Sequence, residues 1–208
     1  MNKDISYYLR NNWSLIAVLG LLWVTIYVLF SQIMVLNHHH FTYILDDTYI
    51  HMAMAKNFAL YGVWGVTKYG LTSSSSSTLW VLLLSLSYYL FGVNDLIPLY
   101  LNVIFASGLV TLVYIIFKRY RLPQWYCFPL LLFIVFLTPL PTLIFTGMET
   151  ILQIFLIIPF IFLSAKLLTK EEINQYDYII FFLLGILLAL IRYEDLMLIG
   201  IVFILLLI

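Results

Sequence analysis

The sequence predicts an all-α protein: a polytopic transmembrane helix bundle with two juxtamembrane helices in its first outer loop. Three observations predict it. Hydrophobic residues make up 64% of the 208-residue chain and charged residues only 10%, where soluble domains hold about 25% charged. Mean hydropathy is +1.05. Apolar runs suited to membrane helices recur from residue 13 to the end, separated by short polar turns. The net charge is +0, which leaves no nucleic-acid footprint. The single cysteine, Cys127, excludes an intrachain disulfide and a Cys-based zinc cluster. No internal repeat is visible.

The elements follow in order. Trp13–Leu36 is longer than a signal-peptide core of about 7–15 residues. At 1.5 Å per residue it crosses a hydrocarbon core of about 30 Å, so it reads as an uncleaved first transmembrane helix. "FTYILDDTYIHMAMAKNFALYG" follows, with Asp46 or Asp47 predicted as the N-cap of a helix. Ile50, Met54 and Phe58 form its apolar stripe, and His51, Lys56 and Asn57 its polar side, a pattern for a helix lying on the bilayer. Asp47 and His51 are spaced to meet on one face. "GVWGVTKYGLTSSSSST" reads as loop. Residues 78–92 reach only about 22 Å as a helix, too short to cross comfortably, and read as a second shallow helix. Further spans are expected at 96–117, at 125–145 with a break or end at Pro139 and Pro141, at 151–168 and at 178–191. Residues 195–208 are apolar to the last position and read as a helix cut short. The expectation is one transmembrane domain over 1–208, the N-terminal portion of a longer protein. It has its first helix at 13–36, an outer loop at 37–95 and about five further or partial spans over 96–208.

Sidedness rests on the basic residues. If 78–92 stays outside, Lys3, Arg10, Lys118, Arg119, Arg121, Lys166 and Lys170 fall inside, and only Lys56, Lys68 and Arg192 outside. The positive-inside rule selects that arrangement. It collects Asp46, Asp47, His51, Glu149, Arg192, Glu194 and Asp195 on the outer side. Charges at membrane depth pair or line a polar cavity, so Asp46, Asp47, Glu149 and Arg192 are expected to converge on one pocket. Two adjacent carboxylates also suit Mg2+ or Mn2+.

Plainer readings stand beside these. The acidic pair caps a helix, Glu149 ends one, and Arg192 pairs locally with Glu194 or Asp195. His38, His39 and His40 form an interfacial cuff, since three consecutive side chains cannot face one ion. Ser73–Ser77 is a flexible turn or, alternatively, a cradle for phosphate. Lys118 to Arg121 anchor the topology.

The succession of a first helix, "DDTYIHMAMAKNFALYG", a serine-rich turn running into "STLWVLLLSLSYYLFG", and a span ending in basic residues resembles bacterial GT-C-type glycosyltransferases. "TGMET" and "LALIRYEDLMLIG" resemble later pieces of such chains, with Tyr193 where proline is more common. The resemblance covers roughly residues 13–200, and the acidic pair is its most specific part. It implies a multi-pass protein of the bacterial inner membrane, with an active site on the outer face and a polyprenyl-phosphate-linked sugar as donor. It also implies an acid in the first outer loop that serves as catalytic base or holds a metal. On that reading Asp46 and Asp47 are the catalytic candidates. His51, Lys56, Glu149, Arg192 and Glu194 are the candidates for binding substrate. Arg192 suits the donor phosphate through its fork of donors, with Lys56 and Lys68 as rivals. The competing functions are a transporter or flippase, and a truncated non-catalytic remnant or subunit.

Overall fold

A computed structural model describes residues 11–169 and 173–207. Lys3, Arg10 and Lys170, which enter the charge argument, lie outside the described residues. Among the described residues the fold is all-α, without a strand. The helices are α1 (Trp13–Leu36), α2 (Asp46–Tyr61), α3 (Thr78–Phe91), α4 (Ile97–Arg119), α5 (Gln124–Leu137), α6 (Leu140–Ile144), α7 (Thr150–Thr169), α8 (Gln175–Ile191) and α9 (Asp195–Leu207). The stretch expected at 125–145 is interrupted at Thr138 and Pro139 into α5 and α6, as the prolines foretell.

Among the described residues three helices, α1, α4 and α7, are long and apolar enough to cross a membrane. Their surfaces agree with that. In α1 only Ser14, Val18 and Leu22 are buried, one narrow stripe, while Trp23, Val24, Tyr27 and Val35 face outward. A helix that is apolar all round, yet packed on one side only, suits contact with lipid.

The chain divides into two compact units. The first joins residues 1–44 to 99–147. Here α1 packs on α5 and α6, with Trp13 edge-on to Trp125 at 5.0 Å. Trp23 Nε1 donates to Ser107 Oγ of α4 at 3.1 Å. Near the start of α1 a polar chain forms. Ser14 Oγ donates to Gln124 Oε1, Gln124 Nε2 to the Tyr114 hydroxyl, and Tyr114 to Asn12 Oδ1. Lys118 Nζ adds a bond to the same Asn12 oxygen. His38 and His39 take left-handed backbone conformations, and the His39 N–H closes the end of α1 on the Met34 carbonyl.

The second unit joins residues 45–98 to 148–208. Its α2 and α3 pair closely, and α3 also packs on α8, which contacts α7 and α9. Met52, Met54 and Ala55 of α2 are buried, as are Trp80, Val81, Leu84 and Tyr88 of α3. Ser85 Oγ donates across the pair to the Ala55 carbonyl at 2.9 Å. Phe160 of α7 stacks on Phe181 of α8 at 5.1 Å.

The loop from α2 to α3 is held rather than slack. Gly62, left-handed at φ 67, ends α2. Asn57 Nδ2 donates to the carbonyls of both Gly65 and Val66, at 3.0 and 2.8 Å. Thr72 returns to this knot through its N–H to the Trp64 carbonyl and its Oγ1 from the Val66 N–H. A Cβ on Gly65 would meet the Gly70 carbonyl oxygen at 2.3 Å, so only glycine fits. Ser77 ends the loop as the N-cap of α3, its Oγ accepting the Trp80 N–H. The flexible turn expected at 73–77 is therefore anchored at both ends.

Candidate functional site

A polar cleft of about 370 Å3 opens in the second unit. Asp47, Ile50 and His51 of α2 form one wall, the run Ser73–Ser76 another, and Tyr193 of the α8–α9 turn a third.

The acidic pair does not cap α2. The N-cap is Leu45, in extended conformation and without a side-chain cap bond, so Asp46 and Asp47 occupy the first turn. Negative charge there complements the helix dipole. Adjacent helical residues diverge by about 100°, whereas residues four apart share a face. Asp47 thus stands with His51 in the cleft wall, while Asp46 is absent from that wall. Both carboxylates are exposed. The same divergence tells against the pair as a seat for Mg2+ or Mn2+. No group of three or more His, Cys, Asp or Glu side chains able to hold a metal occurs among the described residues.

Beneath the cleft lies a line of ionisable groups. His51 is 2% exposed and Glu149 0%. His51 Nδ1 lies 3.0 Å from Ser75 Oγ. On its other side Nε2 stands 3.8 Å from Glu149 Oε2. Glu149 Oε1 is 3.8 Å from Arg192 Nε, which is 3.6 Å from Glu194 Oε2. These last three separations are too long for hydrogen bonds. Neither Glu149 oxygen has a hydrogen-bond partner. Its carbonyl accepts the Gln153 N–H, setting Glu149 at the start of α7. Asp195 opens α9, buried, with Oδ1 taking a 2.8 Å bond from Gln153 Nε2.

Of the four residues expected to converge on one pocket, Asp47 lines the cleft, Glu149 and Arg192 meet beneath it, and Asp46 is absent from its wall; His51 stands between Asp47 and Glu149, and Glu194 lies against Arg192. Lys56 is exposed and outside the cleft wall, five positions and so about 140° round the helix from His51. Lys68 lies over the rings of Tyr61 and Tyr69, at 6.0 and 5.4 Å. Of the two local acids expected for Arg192, Glu194 lies against it and Asp195 is bonded to Gln153; the distant Glu149 is its second acidic neighbour. The roles of Ser75, Tyr193 and Gln153 had no sequence signal beyond the serine run and the unusual tyrosine.

Burial pushes the His51 imidazole below its ordinary range; the Asp47 carboxylate opposes this and Arg192 adds to it. Burial pushes Glu149 above the usual carboxylate range. Its own backbone N–H and Arg192 resist, while Asp47 and Glu194 reinforce the rise. The consequences for stability have opposite signs. Glu149 binds its proton more tightly in the folded chain. Its contribution is full in acid and lost as pH rises from about 4.3 through the raised value. His51 binds a proton less tightly when folded, so its contribution is lost as pH falls below about 6.5. Glu149→Gln is accordingly expected to remove the loss on the alkaline side and leave the acid-side loss. Thermal unfolding in detergent across pH checks this; an unchanged alkaline slope would refute it.

No family model matches the chain, and no curated protein or solved structure matches it significantly.

Proposed function

We propose that the chain acts as a multi-pass glycosyltransferase of the bacterial inner membrane, moving a sugar from a polyprenyl-phosphate donor to an acceptor hydroxyl on the extracytoplasmic face. The observation that supports this best is the cleft, in which one exposed carboxylate, Asp47, shares a hydroxyl-rich recess with Ser73–Ser76. Asp47 takes the proton of the acceptor hydroxyl as its oxygen bonds to the anomeric carbon. The bond from that carbon to the phosphate oxygen breaks, and the electron pair leaves with the lipid phosphate. Attack opposite the departing phosphate inverts the sugar carbon. The phosphate is already acidic and gains from a cation more than from a proton. Arg192, 35% exposed and adjacent in sequence to the cleft residue Tyr193, is the candidate.

In this reading α2 and α3 are juxtamembrane helices. Their outward sides carry Phe58, Leu60, Tyr61, Leu82, Leu86 and Tyr89, an amphipathic surface suited to the interface. The titratable groups stand at helix ends: Asp47 in the first turn of α2, Glu149 before α7, Arg192 and Asp195 flanking the α8–α9 turn. Transport sites favour broken helices near the midplane, so this placement supports surface chemistry over transport.

The test uses vesicles of defined orientation holding the full chain. A labelled polyprenyl-phosphate sugar is expected to be consumed when the extracytoplasmic face is accessible and not in sealed inverted vesicles. Equal consumption in both, or none across a panel of donor sugars, overturns the reading.

A further inference from the structure

We propose that Ser75, His51 and Glu149 form a proton-linked relay. In it Glu149 holds a proton, His51 carries its one ring hydrogen on Nδ1, and ionisation of Glu149 turns the Ser75 hydroxyl round and frees a lone pair for a ligand hydroxyl in the cleft.

The assignment starts from Ser75. A serine hydroxyl has one hydrogen to give and two lone pairs to fill. Three neighbours lie within reach of Ser75 Oγ: His51 Nδ1 at 3.0 Å, the Ser77 N–H at 3.0 Å and the Ser77 carbonyl at 3.1 Å. The Ser77 N–H can only donate and the Ser77 carbonyl can only accept. All three contacts are made together in one arrangement alone. Ser75 gives its hydrogen to the carbonyl and receives one from Ser77 N–H and one from His51 Nδ1–H. The neutral ring then leaves Nε2 bare, 3.8 Å from Glu149 Oε2. A bare nitrogen opposite an ionised oxygen, both buried, sets lone pair against lone pair. A proton on Glu149 removes that conflict. Burial, which raises the hold of Glu149 on its proton, agrees with it.

When Glu149 gives up its proton, the charges reverse their demand. The Glu149 proton passes to His51 Nε2, the Nδ1 proton leaves by way of the cleft, and the unit as a whole loses one proton. His51 then presents N–H to the carboxylate and a lone pair to Ser75. Ser75 donates to Nδ1, keeps the Ser77 N–H, and has one lone pair unfilled. A hydroxyl bound in the cleft can donate to it. The groups that bear on this equilibrium are Asp47 from α2 and Arg192 and Glu194 from the α8–α9 turn. Asp195 of α9, tied to Gln153 of α7, adds its charge beside Arg192. This relay stands apart from the glycosyltransferase reading, because its test involves neither donor nor turnover.

The full chain, labelled with 15N-histidine in detergent micelles, gives ring-nitrogen shifts that separate protonated from bare nitrogens. His38, His39 and His40 are exposed, which leaves His51 as the one buried ring to be assigned. Near neutral pH the wild type is expected to show His51 protonated on Nδ1 and bare on Nε2, with the two interchanging as pH rises. In Glu149→Gln, the neutral amide keeps offering N–H to Nε2, so the interchange is lost. A doubly protonated His51 ring near neutral pH, an Nε2–H ring there, or the absence of any alkaline interchange overturns the proposal. The wild-type spectrum decides this even if the Glu149→Gln chain does not fold.

Discussion

Asp47→Asn is expected to lower sugar transfer by roughly 10²- to 10⁴-fold, the usual contribution of a positioned general base. Asparagine keeps the size of the side chain and its place in the cleft wall, but it cannot take a proton from the acceptor hydroxyl. The cost to folding is small, about 0.3–1 kcal/mol for a charge lost from the first turn of a helix. Asp46→Asn is the matched control. Asp46 loses the same charge from the same turn, yet it does not line the cleft. Transfer by Asp46→Asn is expected to stay near the wild-type rate. Consumption of a labelled polyprenyl-phosphate sugar, normalised to inserted protein, separates the two. Equal losses in both variants would mean that helix charge matters and the cleft does not. Wild-type turnover in Asp47→Asn would remove the proposed base, and the mechanism with it.

Trp80→Ala should have the largest effect on structure. Trp80 is 0% exposed in the contact between α2 and α3, the pair that carries Asp47, His51 and the serine wall. Emptying such a site costs about 3–5 kcal/mol, transfer and cavity together. Amide hydrogen exchange within Asp46–Tyr61 and Thr78–Phe91 is therefore expected to quicken by roughly 10²- to 10⁴-fold. Tyr89→Ala, on the same helix but 75% exposed, should leave exchange in α2 unchanged. Exchange mass spectrometry in micelles reads both. If α2 keeps its protection in Trp80→Ala, the pairing of α2 and α3 is not what holds it.

The helices were legible because apolar length and proline placement encode them locally. Trp13–Leu36 coincides with its apolar run, and Pro139 marks the break between α5 and α6. The orientation of α2 was not legible in the same way. Its stripe of Ile50, Met54 and Phe58 reads as the face laid on the bilayer, yet Met54 is fully buried and Ile50 borders the cleft. Thr48, His51, Met52 and Ala55 turn inward with Met54. In a chain surrounded by lipid, an apolar side chain gains little by packing against protein rather than lipid, so hydrophobicity ceases to mark the inside. The polar residues mark it better, because a histidine or glutamate must find partners. The partners themselves come from separate segments: Ser75 for His51, Glu149 for Arg192, Gln153 for Asp195. Periodicity within one helix holds no record of them.

The double grip of Asn57 on the Gly65 and Val66 carbonyls has a kinetic consequence. Asn57 belongs to α2, the helix that presents Asp47 and His51, and the knot it ties leads directly into the serine wall. The two sides of the recess are thus struts of one frame. For the proposed acceptor, such a frame lowers the conformational cost of entering the recess. Association should then track diffusion and viscosity, with weak dependence on temperature. Cutting the tie with Asn57→Ala should convert the recess into a fluctuating one, slowing capture while leaving the chemistry of a molecule already seated untouched.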